Sequence, residues 1–241
     1  MIPLEDAWNL KEVVGDATQK SELERIGFLG DMPCSYKAMP LAGHFELHIG
    51  ETSSTVFLCC IVYSCLTNAE QGPHLEASSR KVGVVTGAQA VRWYTVTVSG
   101  RECHTGSTPF FARSDAMLCA AKIIVASNGL AKAHSGVAST GIIHAFPGST
   151  NTVPGKVVLS LDMRHPQDSV LDELDVALHA EVARIAREDS ERGCEVAWRL
   201  DTDAKATHFD KECIRCVQDS AEAVVGREQA VEMTSGAGHD R

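Results

Sequence analysis

The sequence has 241 residues, 44% of them apolar, with nine cysteines and a formal net charge of -10. That length allows one large domain or two ordinary ones with ample core. The acidic balance argues against nucleic-acid or anionic-membrane binding, both of which need basic surfaces. No basic n-region followed by an apolar h-region opens the chain, so the cysteines read as reduced thiols of a cytoplasmic protein.

Near the start, FELHI places His48 in a short alternating segment, and Glu70-Gln71-Gly72-Pro73 forms a turn. The run VFLCCIVYSCL between them is the greasiest of the chain, yet too short to cross a bilayer, which takes about 20 apolar residues. VRWYTVTVSG (Val91–Gly100) alternates with β-branched and aromatic residues and predicts a strand. Ser114–Gly129 predicts a helix with Ser114 as N-cap and Asn128-Gly129 as the stop. GIIHAF and KVVLSLDMR predict two strands separated by the turn-rich PGSTNTVPG. In the next helix Leu171, Leu174, Leu178, Val182 and Ile185 share one face, Ser169 with Asp172 resembles a capping box, and Gly193 suits the residue after the end. CEVAWRL closes the series as a strand.

The order is β-α-β-β-α-β across Ala88–Asp203, the split βαβ pattern of a ferredoxin-like domain. Met1–Gly87 and Ala204–Arg241 are left as flanks that belong together if the middle is an insertion. Cys213 and Cys216 form a CxxC on a helical apolar spacing, which suits buried structural thiols better than a metal or redox pair.

A few polar residues sit where chemistry could occur. His48 beside apolar residues is, alone, commonly a structural histidine. His104 in CHTGSTP follows a strand in a loop, a placement that suits either a substrate-facing imidazole or a plain turn. Asn151 in STNTVPG and Arg164 in LDMRHP could reach a carboxylate, and Arg164 could equally form an ion pair. SGAGHD resembles a glycine-rich backbone approach to a ligand.

Taken together, FELHI with EQGP, GVVTGAQAVRWYTVTVSG, CHTGSTP-F-AR-DA, NTVPG, LDMRHP and SGAGHD resemble one family. It is that of the metal-dependent amidohydrolases: N-carbamoyl-L-amino-acid hydrolases, β-ureidopropionases and allantoate amidohydrolases, relatives of metallo-aminoacylases and carboxypeptidases. The resemblance implies an α/β fold, here an incomplete metallopeptidase-like catalytic domain with an inserted ferredoxin-like lid that also makes a homodimer. It implies two divalent metal ions (zinc, manganese or cobalt) and a small carboxylate-bearing ureido or amide substrate. By position His48 matches a metal ligand, and Gln71 matches a residue beside the metals near the substrate. His104 matches the lid histidine that enters the partner subunit's site and polarises the scissile carbonyl. Asn151 and Arg164 match groups that hold the substrate carboxylate, while Gly236, Ala237 and Gly238 match a backbone loop lining it.

The family's other metal ligands and its glutamate base match nothing between Met1 and Arg241. One imidazole cannot hold two divalent ions, so the chain as written is expected to be inactive. The runner-up is a non-catalytic dimerisation or ligand-binding remnant of the same family. Gly50–Ala69 interrupts the motif, since its deletion joins FELHI directly to EQGP. Gly50-Glu51 can be encoded with a GTGAG donor, Ala69-Glu70 with an AG acceptor, and Leu66-Thr67-Asn68 with a branch-point-like CTGAC or CTAAC. The expectation is a retained in-frame intron in a eukaryotic gene, a genuine loop or strand being the alternative. Sequencing of the mature transcript should show FELHI running into EQGP; transcripts that all keep codons 50–69 would refute it.

Overall fold

The computed structural model describes residues 4–12, 15–31, 42–47, 74–188 and 191–237. His48, Gln71, Gly238 and the whole of Gly50–Ala69 lie outside them. The chain divides into two compact units, Met1–Phe45 and Glu46–Arg241. In the first, α1 (Leu4–Trp8) precedes α2 (Gln19–Arg25). Thr18 caps α2 in a reciprocal box with Ser21, each side chain accepting from the other's backbone N–H.

The second unit begins with α3 (His74–Ala77) and continues into β1 (Val82–Ala88) and β2 (Ala90–Ser99). Then come β3 (Cys103–His104), α4 (Ala116–Ala133), β4 (Val137–Ser139), β5 (Ile143–Phe146) and β6 (Thr152–Val153). They are followed by β7 (Lys156–His165), α5 (Asp168–Glu188), β8 (Glu195–Ala204), β9 (Thr207–His208), α6 (Lys211–Val225) and β10 (Ala230–Ser235).

The larger sheet is fully antiparallel. β2 and β7 pair along ten residues, from Ala90 opposite His165 to Ser99 opposite Lys156. β8 lies on the free side of β2, and β4 and β5 lie along the free side of β7, giving the order β4-β7-β2-β8. Strand alternation sends Tyr94, Val96, Val98, Val157, Leu159, Leu161 and Met163 to one face, where α4 and α5 cover them. α5 buries the expected stripe of Leu171, Leu174, Leu178, Val182 and Ile185. Each such fully buried Leu or Ile contributes about 2 kcal/mol. α4 is long and apolar enough to pass for a membrane span, but its Cys119, Ala120 and Ile123 lie in the same buried cluster.

Local signals yield to packing at three places. α4 runs through Asn128-Gly129 to Ala133, because Ser127 and Ala131 on its inner face are buried. Its N-cap is Asp115, whose carboxylate accepts from the Leu118 N–H, whereas the Ser114 hydroxyl donates to the Gly193 carbonyl. Asp172 is drawn away from the start of α5 to the guanidinium of Arg92.

A smaller sheet has β1 in the centre, parallel to β10 and antiparallel to β9, with α6 packed on β1. The chain passes between the sheets twice, at Gln89 and at Lys205-Ala206. Gly87 is required there: a Cβ would stand 2.2 Å from the Thr207 carbonyl oxygen.

Arg92 is only 8% exposed although it is charged. It binds Asp172 through Nη2, lies 3.2 Å from Asp175 through Nη1 and 3.1 Å from Asp203 through Nε, joining β2, α5 and β8. The hydrogen bond from Arg92 holds the Asp172 carboxyl below its ordinary 3.8, with a smaller contribution from Lys205. A lowered folded value stabilises the fold above the unfolded pKa, and that stability is lost as pH falls through the folded one. Asp172→Asn should therefore lower Tm at neutral pH, with the deficit shrinking as pH falls through the folded-state pKa of Asp172. A Tm difference independent of pH would contradict this linkage.

Candidate functional site

Two clusters of polar groups form, at opposite ends of the larger sheet. The first surrounds Arg164 near the C-terminal end of β7, where residues of even number face away from the helices. Its Nε and Nη2 donate to Asp162 at 2.8 and 2.6 Å, a two-pronged pair that the strand's two-residue period places on one face. This pairing raises the guanidinium pKa. Nη1 donates to the Gly236 carbonyl at 2.6 Å, and the Gln89 side chain donates to the same oxygen at 3.0 Å. The Ala237 N–H donates to the buried Ser235 hydroxyl at 3.1 Å. These contacts use three of the five N–H donors of Arg164. The others lie one on each terminal nitrogen.

The second cluster surrounds His104. β3 pairs with β6 so that His104 stands opposite Thr152, and the Thr105 N–H donates to the Asn151 carbonyl at 3.0 Å. His104 Nδ1 accepts from the N–H groups of Gly106 and Ser107 at 3.1 and 3.2 Å. A proton on Nδ1 would face two donors, so the ring carries it on Nε2 as an outward donor. Asn151 Oδ1 accepts from the Ser149 and Thr152 hydroxyls, which leaves its NH₂ group as donor to a ligand.

The clusters are far apart within one chain. Ser99 and Lys156 pair at the end of the sheet that leads to β3 and β6, and the Gly100 N–H donates to Gly155. Arg164 lies towards the other end of β7, roughly 26 Å away at about 3.3 Å per residue. Arg164 is thus brought together with Gly236 and Ala237, and His104 with Asn151, while Asn151 and Arg164 are separated. Asp162 and Gln89 went unread in the sequence. The i, i+2 spacing of LDMR was a usable signal for Asp162, whereas nothing local marks Gln89.

Cys213 is partly exposed and Cys216 exposed on the outer side of α6, so neither is the buried structural thiol that the spacing predicted. Among the described residues no group of three or more His, Cys, Asp or Glu side chains is arranged to hold a metal ion, the three carboxylates around Arg92 being taken up by its guanidinium. These residues do not fit a metal centre.

The fold is that of a known class. The family described as a peptidase dimerisation domain matches residues 86–190. The chain is 34% identical over 221 residues to an N-carbamoyl-L-amino-acid amidohydrolase of Rhizobium meliloti, covering 91% of this chain and 47% of that protein. An allantoate amidohydrolase of Escherichia coli is 30% identical over 173 residues, or 71% of this chain and 41% of that protein. A crystal structure of a hydantoinase/carbamoylase family amidase from Burkholderia multivorans superposes with a TM-score of 0.78 at 38% identity, covering 99% of this chain and 52% of that one. The chain resembles these amidohydrolases and amidases, and it spans about half the length of these relatives.

Proposed function

We propose that the chain carries the lid and the carboxylate-holding part of a metal-dependent amidohydrolase acting on small linear ureido or amide substrates. The carrying observation is the separation of the two polar clusters along one rigid sheet. Groups that far apart cannot grip one small molecule from the same subunit. In a homodimer, His104 and Asn151 of one subunit complete the site that Arg164, Gly236 and Ala237 form in the other. The antiparallel order β4-β7-β2-β8 beneath two helices supports a ferredoxin-like lid over 88–203, and the double passage at Gln89 and Lys205-Ala206 supports its insertion between 1–87 and 204–241. Exposed Leu118, Val125 and Val176 on the lid helices support an interface between copies.

In this site Arg164, held in orientation by Asp162, binds the substrate carboxylate through the donors left on its terminal nitrogens. The backbone at Gly236-Ala237 lines the ligand, with Gly238 and Gln71 as further candidates. His104 donates from Nε2 to the scissile carbonyl oxygen, strengthening as charge develops there, and Asn151 offers its NH₂ group. Residues held on strands and a braced loop spend little on reorganisation, which favours positioned chemistry. The two divalent ions implied by the family need ligands beyond the described residues, with His48 as one, and no step is assigned to them. The match of residues 86–190 to a peptidase dimerisation domain favours a second reading, a non-catalytic dimerisation or ligand-binding remnant.

The test is hydrolysis of N-carbamoyl amino acids, ureidopropionate and allantoate with zinc, manganese or cobalt added. Arg164→Ala should raise KM by about tenfold to a hundredfold, the loss of a charge-assisted carboxylate contact. Mixing Arg164→Ala with His104→Ala subunits should restore about a quarter of wild-type activity, since half the dimers are mixed and each holds one intact site. Where the wild type turns over, failure to complement would refute the composite site. Carboxylate binding that depends on Arg164 without any turnover would favour the remnant.

A further inference from the structure

The loop that carries His104 is closed by a residue outside the proposed substrate contacts. Arg113 donates from Nη2 to the Thr105 carbonyl at 2.6 Å and from Nε to the Thr108 carbonyl at 2.9 Å. The two acceptors bracket the turn whose Gly106 and Ser107 N–H groups point at His104 Nδ1. The Thr108 N–H donates back to the His104 carbonyl at 3.1 Å, so the turn is fixed on both strands of its neck. Arg113 is itself held: its guanidinium lies 4.7 Å from the Phe110 ring centroid, and its carbonyl accepts from the Arg192 N–H at 3.2 Å.

One peptide unit links the two side chains. The Thr105 carbonyl that Arg113 binds and the Gly106 N–H that His104 accepts belong to the same amide. Among the described residues the one cis peptide is Phe146-Pro147, so this one is trans, and its C=O and N–H point in opposite directions. Fixing the carbonyl on Arg113 therefore aims the N–H at the imidazole. A cation on the carbonyl also polarises the amide and strengthens the N–H as a donor. Gly106 fits this arrangement tightly, since a Cβ there would lie 3.3 Å from His104 Cε1.

We infer that Arg113 is a positioning residue for His104, which through the Thr105-Gly106 peptide fixes the imidazole in the tautomer that presents Nε2–H outward. The role deepens the proposed function, because only that tautomer can donate to a carbonyl from the exposed nitrogen. It gives the arginine a task distinct from that of Arg164: it meets no substrate, and its charge acts on the loop's own carbonyls.

The experiment is nitrogen NMR of the histidine-labelled protein. His104 should show one tautomer, with Nδ1 unprotonated and Nε2 protonated. Arg113→Ala should populate both tautomers while Tm and the other histidine signals stay close to wild type. Arg113→Lys, which can reach one carbonyl at a time, should be intermediate. Unchanged His104 nitrogen signals in Arg113→Ala would overturn the inference. If that variant does not fold, Arg113→Lys carries the test, and a single wild-type tautomer in it would overturn the inference equally. In the metal-loaded protein, Arg113→Lys should lower kcat by at least about tenfold and leave KM within about twofold, as expected when a group is misplaced but the carboxylate contact stays. Absence of turnover in the wild type would count against the proposed function alone, and the tautomer measurement would still decide the role of Arg113.

Discussion

The long antiparallel pairing of Ala90–Ser99 with Lys156–His165 is the constraint on which everything else in the second unit rests. It creates the apolar face that two helices cover, and it sets the register of every polar residue on the opposite face. Because a strand's side chains alternate with period two, moving this register by one residue would bury Asp162 and Arg164 and expose Leu161 and Met163. The Arg164 guanidinium is therefore fixed by the same pairing that fixes the core. The strands' length has a second effect, since it keeps the His104 and Arg164 clusters at opposite ends.

Charge is used sparingly inside this unit, and always with compensation. Arg92 joins three carboxylates from two elements across the helix-facing side of the sheet. An isolated guanidinium there would carry a large desolvation cost, which paired carboxylates offset. Arg164 and Arg113 follow the same rule with different partners. Arg164 takes a carboxylate and a carbonyl, and retains donors for a ligand. Arg113 takes two carbonyls, so its positive charge organises backbone dipoles. Three arginines thus brace the helix-sheet contact, the end of β10 and the His104 loop respectively.

The two passages between the sheets explain why distant parts of the sequence share one cluster. Gln89 and Gly236 are separated by most of the chain, yet one hydrogen bond joins them where β1 hands over to β2. β10 lies parallel to β1, so its end is delivered to that point, and Arg164 meets it from the neighbouring sheet. Gly87 lets Thr207 cross closely enough for the handover to be compact. The site at Arg164 is in this sense a property of the junction between sheets.

The sequence did not mark the short strands β3, β4 and β6. By itself it determined the longer elements between Val91 and Leu200, namely β2, α4, β5, β7, α5 and β8, together with the buried stripe of α5 and the alternation of β2 and β7. These follow from hydrophobic periodicity, which acts over a few residues and needs no knowledge of distant partners. It also marked His104, Asn151 and Arg164 as chemically apt. Only the tertiary structure decided that Ser114 would bind Gly193 instead of capping α4, that Asp172 would serve Arg92, and that Asn128-Gly129 would not stop a helix. In each case a distant partner or buried face outweighed a local preference worth about 1 kcal/mol. The division of the polar residues into two clusters was likewise invisible to motif spacing. Separation in sequence carries no information about which end of a folded strand a residue occupies until pairing and register are set.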